Sequence, residues 1–216
     1  MVDEGGVVVT TTNHVGALTA ADPSVRLRAA LSAGTQPDDR LMDALIDRCG
    51  VEPDFFVRDM LTWALCRLST EHTVPRLIDE LASEIAQARS QSLHTLSKIG
   101  DQRAWPAVST LLHDKDDEVA RSAWRAAVAL VPPAAEAQLA ADLATELGHG
   151  DRDMQLSLSR ALAGLGDAVL PVLDAAAMST NPHVRAHADA SRQLWDDPDS
   201  GFTLSIEMAK RVAAMR

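Results

Sequence analysis

Apolar side chains return in steps of four along six blocks of this chain, with polar residues filling most positions between. The blocks start at Val25, Val57, Ala88, Val119, Met154 and Val184. Counting each start as position zero, positions four and eight hold Ala29 and Ala33, Leu61 and Leu65, Ser92 and Leu96, Ala123 and Ala127, Leu158 and Leu162, and Ala188 and Arg192. A mostly apolar i, i+4, i+8 stripe is the buried face of an amphipathic helix. Alanine on that face lets a second helix approach closely. Arg192 closes the last stripe, as expected of a terminal element with one face in water. These are B helices. A helices are predicted between them over 38–48, 73–81, 103–113, 134–147 and 168–178, with pairs such as Leu41 and Leu45 or Leu77 and Leu81 at helical spacing. A short segment, 15–20, serves as the first A helix.

The punctuation agrees with this division. Asp22, Asp151 and Asn181 stand where N-caps are wanted, and Pro23, Pro53 and Pro182 fit first helical turns. Gly34, Gly50, Gly100, Gly148 and Gly166 are predicted to end helices through left-handed caps. Pro106 and Pro171 lie a few residues inside their predicted helices, so a late start or a kink is expected. The block starts are 32, 31, 31, 35 and 30 residues apart. A fixed period of that size marks a stacked-repeat protein. The longest interval contains Pro132 and Pro133 and is a candidate joint. The expected organisation is a flexible tail over 1–12, the repeat array over 13–200 and a capping helix over 201–216. That last helix would use Phe202, Ile206, Ala209 and Ala213. The Val7 to Val9 run is expected to stay in the disordered tail.

Composition narrows the picture. Tyr is absent and Phe occurs three times, which favours helix over strand. A net charge of -11 argues against non-specific nucleic-acid binding, which needs surplus Lys and Arg. Cys49 and Cys66 form no framework and read as reduced, packed thiols. No signal peptide and no bilayer-spanning run is evident. The expected location is the cytoplasm.

Asp22-Pro23-Ser24-Val25-Arg26 with Ala29 and Ala30, and Val184-Arg185 with Ala188, carry a resemblance. Ile99-Gly100-Asp101 and Leu165-Gly166-Asp167 extend it as helix-ending turns. Over about 14–197 the chain resembles bacterial HEAT-repeat proteins of the short kind, related to the repeats of phycobilisome lyases. The resemblance implies an all-α, right-handed α-solenoid of about six HEAT-like helix pairs. It implies little about activity. Di-iron hydroxylases of this architecture use His-Glu dipeptides, and no histidine here is followed by Glu. HEAT-like DNA glycosylases use a basic concave face with Trp and an acidic residue, a partial match. Bilin lyases share the repeat, and repeat similarity is thin support for chromophore chemistry.

In this family the B helices line the concave face, so positions two, six and ten point outward. That places Trp63, Arg67, His94, Lys98, Arg121, Arg125 and Arg160 on one inferred surface, with Asp59 and Ser90 beside them. The A helices carry Asp43, Asp47, Asp79 and much of the remaining acid, so a basic groove can exist in an acidic protein. Trp and Arg are enriched at binding hot spots. The competing reading makes these arginines ties between repeats. For Arg26, Arg58, Arg89 and Arg185, at position one, the resemblance implies that structural role. Trp105, Trp124 and Trp195 read as packing residues. His183 and His187 have a metal-compatible spacing but no third ligand. No catalytic residue, metal or cofactor is expected. The leading expectation is a non-catalytic scaffold binding a protein partner, with an acidic or phosphorylated segment suited to the arginines. A nucleic-acid-binding or base-processing protein is the alternative, and a small-molecule lyase or isomerase a further one.

Overall fold

The computed structural model describes residues 14–198. The expected tail over 1–12, with its valine run, and the capping helix over 201–216 lie outside the described residues. Among the described residues there are twelve α-helices and no strand. They are α1 (14–18), α2 (Pro23–Thr35), α3 (Met42–Val51), α4 (Phe55–Leu65), α5 (Thr70–Glu80), α6 (Ala86–Ile99), α7 (Trp105–Ser109), α8 (Asp117–Leu130), α9 (Glu136–Ala144), α10 (Arg152–Ala163), α11 (Leu170–Ala177) and α12 (Pro182–Asp196). Odd-numbered helices are the A members and even-numbered ones the B members of six pairs. The fold is all-α. It divides into two compact units at Leu130 and Val131, just before Pro132 and Pro133.

In the first unit α3 packs on α4, α5 on α6 and α7 on α8, while α2 packs on α4 and α6 on α8. In the second, α11 packs on α12 and α10 on α12, with α9 against α11. The stripe sets these contacts. Ala33, Leu61, Leu65, Ser92, Leu96, Ala123, Ala127, Leu158, Leu162 and Ala188 are all buried. Trp124 is 1% exposed and donates its indole N–H to the Leu112 carbonyl at 2.8 Å.

Local chemistry explains the starts. Asp22 accepts from the Ser24 amide at 2.8 Å, Asp151 from Met154 at 2.9 Å and Asn181 from His183 at 2.9 Å. Asp54 caps α4 through the Phe56 and Val57 amides. Pro106 and Pro171 sit in the first turns of α7 and α11, each preceded by a 3-10 turn, so those helices start late. Two glycines differ from expectation. Gly100 and Gly148 do adopt left-handed backbone, but Gly34 and Gly50 lie inside α2 and α3 and are buried. Their role is close approach: a methyl on Gly50 would lie 3.0 Å from Ala88 Cβ.

The loops before α2, α4, α6 and α12 share one device. Arg26 donates through Nη1 to the carbonyls of Ala20 and Ala21, both at 2.8 Å. Arg58 does the same to Glu52 and Pro53, Arg185 to Ser179 and Thr180, and Arg89 to Ser83. Two of them also reach an acid of the next repeat. Arg26 makes a paired contact with Glu52 at 2.7 and 2.8 Å, and Arg89 with Asp114 at 3.1 Å twice. Glu52 is 0% exposed and also receives Arg48 at 2.7 Å and the Asp54 amide at 2.9 Å. Burial pushes its carboxyl up, but the Arg26, Arg48 and Asp54 hydrogen bonds outweigh that and hold it at about 2.

The second unit is held by a buried histidine. His187 Nδ1 lies 3.0 Å from the Gly148 amide, and Nε2 lies 2.9 Å from the Gln155 carbonyl. An amide can only donate, so Nδ1 accepts and the proton sits on Nε2. The ring is therefore neutral, and burial lowers its pKa while the Gln155 contact opposes the shift. Both nitrogens are occupied, which leaves no lone pair for a metal.

Replacing Glu52 with Ala would strand two arginines at a buried site. The expected loss is about 3 kcal/mol, read in denaturant melts. An unchanged midpoint would show the clamp to be idle.

The two units should also differ in acid. A histidine with a lowered folded pKa lends full stability above its ordinary 6.5 and loses it as pH falls below that value. Glu52, held at about 2 against an ordinary 4.5, begins to lose its contribution only below 4.5. Amide protection factors in α10 and α12 should therefore drop between about pH 7 and about pH 5.5 while α2 to α4 hold. His187→Gln should flatten that drop. Equal loss in both units would rule the assignment out.

Candidate functional site

Three B helices of the first unit, α4, α6 and α8, enclose an open groove of about 330 Å³. Helical spacing puts the lining there. On α4 the turns that bury Val57, Leu61 and Leu65 present Phe55, Arg58, Asp59 and Thr62 to the groove. On α6, Gln91, His94 and Lys98 stand at i, i+3 and i+7. On α8, Glu118, Ser122 and Arg125 stand at i, i+4 and i+7. The floor is polar: Ser90 Oγ and Ser122 Oγ meet at 2.9 Å, while Thr62 Oγ1 is buried without a partner. Ser90 was expected to face outward, yet it is buried. The small side chains of α6 and α8 let these helices come close enough for the hydroxyls to pair.

Charge in the groove is mixed and basic at one end. Arg58, Lys98 and Arg125 face Asp59 and Glu118. Arg125 donates to Ser122 Oγ at 3.1 Å and stands 3.7 Å from Glu118, with most of its side chain in water. Arg58 keeps its loop carbonyls while its guanidinium lies 5.9 Å from the centre of the Phe55 ring. His94 is half-buried. Burial, then Lys98 and Arg125, lower its pKa, and Asp59 opposes them. The ring is thus neutral at pH 7.

The structure brings His94, Lys98 and Arg125 together. Arg121 lies beside them and pairs with Glu118, and its Nε is buried without a partner. Trp63 turns away: its ring covers Gly34 of α2, where a methyl would fall 2.1 Å from Cζ3. Arg67 is exposed in the turn after α4 and does not line the groove. Arg160 is exposed on α10 of the second unit, so the expected single surface is not drawn from one body. The reason is that position six fixes a face of a helix but not which neighbour that face meets.

Phe55, Arg58 and Glu118 were not among the expected site residues. Phe55 had a visible signal. Two of the three phenylalanines are adjacent, directly after an N-cap and before the buried stripe begins. They are 65% and 70% exposed, with rings edge to face at 5.7 Å. Arg58 was hidden by its position-one role, which it also fulfils.

Residues 53–129 match the family model described as HEAT repeats. That stretch of the chain is made of HEAT repeats. The matched stretch contains α4, α6 and α8, so the groove is made by the repeats themselves. No curated protein matches the chain. Solved structures similar to it include an engineered protein at 20% identity, covering 89% of this chain and 97% of that one, TM-score 0.47. Another is the complex of CpcE and CpcF of phycocyanin lyase from Nostoc sp. PCC7120, at 21% identity, 87% and 77% coverage and TM-score 0.49. Human deoxyhypusine hydroxylase in complex with glycerol is similar at 18% identity, 88% and 74% coverage and TM-score 0.45. Among the described residues no helix is long and apolar enough to cross a membrane. None of their His, Cys, Asp and Glu side chains gather in threes to suit a metal.

Gly34→Ala tests where Trp63 belongs. The methyl would force the indole off α2, at an expected cost of about 2 kcal/mol. In a Trp63→Ala background the same change should be neutral or stabilising, because Ala favours helix over Gly. Additive effects in the two backgrounds would place the indole elsewhere.

Proposed function

We propose that this HEAT-repeat chain is a non-catalytic cytosolic adaptor whose α4–α6–α8 groove holds a segment of a partner protein. HEAT repeats are typically a protein-interaction fold, and the groove is the feature that carries the reading for this chain. It is open, its walls are helices with buried stripes, and Lys98 and Arg125 enter it with donor capacity to spare. A preformed surface on rigid helices lowers the ordering cost of binding. The thiols support a non-catalytic role. Burial pushes Cys49 up to about 12 and raises Cys66, so neither is an activated nucleophile. Unpaired thiols, Cys49 buried and Cys66 half-buried, also suit the cytoplasm.

Lys98→Glu combined with Arg125→Glu reverses charge at two exposed side chains, so folding should survive. Affinity capture from the native organism should then lose its specific partner by about tenfold, with unchanged circular dichroism. Asp79→Lys on α5, outside the groove, should leave capture intact. Full capture by the groove variant would move the working surface elsewhere.

A further inference from the structure

The groove has a direction. A second hollow of about 290 Å³ adjoins it, lined by Arg58, Ala86, Gln87, Ser90, Asp116 and Glu118 among others. These residues belong to the starts of α4, α6 and α8, so the three starts meet at one end. That end carries Phe55, Arg58, Asp59 and Glu118, with mixed charge and an exposed aromatic ring. His94, Lys98 and Arg125 stand further along α6 and α8, where Lys98 and Arg125 are exposed cations and Glu118 is 3.7 Å from Arg125.

We propose that the groove takes an acidic peptide segment carrying one bulky apolar side chain, with the apolar group against Phe55 and the carboxylates against Lys98 and Arg125. This rests on the reading of the groove as a partner site and adds the partner's chemistry and orientation. Arg125 can hold a carboxylate through two parallel N–H donors, and Lys98 adds a point charge. Phe55 loses exposed apolar area when covered. The chain's net charge of -11 sharpens the selection. Exposed acids such as Asp79 on α5 repel an acidic segment and so weaken its non-specific attachment elsewhere.

His94 then makes binding proton-linked. It is faced by Arg58 and Asp59 from α4, by Lys98 on its own helix, and by Glu118 and Arg125 from α8. In the free protein burial and the two cations keep it neutral. A carboxylate set between Lys98 and Arg125 replaces repulsion with attraction and raises its pKa. Affinity therefore rises as pH falls through the window between the free and bound values.

The test is selection of a random-peptide library displayed on phage against the full chain, followed by synthesis of the enriched peptide. Support is an enriched sequence with clustered Asp or Glu and one aromatic or large aliphatic residue. Its affinity should fall about tenfold in the Lys98→Glu, Arg125→Glu variant and about threefold in Phe55→Ala. It should rise about threefold from about pH 7.5 to about pH 6, and His94→Gln should flatten that rise. Groove-dependent peptides without acidic enrichment would overturn this inference and leave the partner-site reading standing. A selection with no groove-dependent peptide would overturn both. A single-stranded oligonucleotide that binds the groove more tightly than the peptide would assign the site to nucleic acid instead.

Discussion

In four of the six helix pairs the scaffold depends on an arginine in the first turn of the B helix that binds the loop leading into it. Arg26, Arg58 and Arg185 donate to carbonyls five and six residues earlier and Arg89 to the one six residues earlier, where the chain has left helical geometry and its acceptors have no intrahelical partner. Loop carbonyls left without a partner would be costly wherever water is excluded, and the Arg26, Arg58 and Arg185 guanidinium groups each satisfy two of them at once. Where the loop of the next repeat also brings an acid, as Glu52 and Asp114 do, the same guanidinium joins adjacent repeats. Glu52, fully buried, tolerates its charge because Arg26, Arg48 and the Asp54 amide meet its oxygens. These arginines are thereby committed to the scaffold and are not free for a ligand, Arg58 excepted, since its other face lines the groove.

Once loops are pinned, small side chains set how near the B helices come. In each unit a buried serine pair bridges neighbouring B helices, Ser90 with Ser122 and Ser159 with Ser191, both at 2.9 Å. Each hydroxyl satisfies the other in a seam too narrow for larger groups. Close approach of α6 and α8 below, with α4 opposite, leaves the outward positions to form a hollow rather than a flat face. The groove is thus a by-product of scaffold packing, and its chemistry is carried by residues the scaffold does not need.

Helix faces, caps and pairing were legible along the chain because they depend on neighbours three or four residues away. The stripe residues are buried, Asp22, Asp151 and Asn181 cap as their chemistry requires, and Trp124 is packed. Gly34 and Gly50 misled because glycine serves two ends. It permits left-handed backbone, and it also makes room. Which of these operates depends on Trp63 and Ala88, residues about thirty or more positions later.

The site followed the same divide. His94, Lys98 and Arg125 were recoverable from their outward register alone. Trp63 and Arg67 share that register but not the groove, and Arg160 belongs to another compact unit. The periodic sequence by itself determined the all-α fold, the six pairs and which side of each helix meets water, since a 3.6-residue repeat encodes those facts locally. Only the tertiary structure decided which outward side chains share a hollow, that Phe55 and Arg58 join them, and that His187 is locked between Gly148 and Gln155. Those outcomes depend on distances between segments far apart in the chain, and no local spacing carries them.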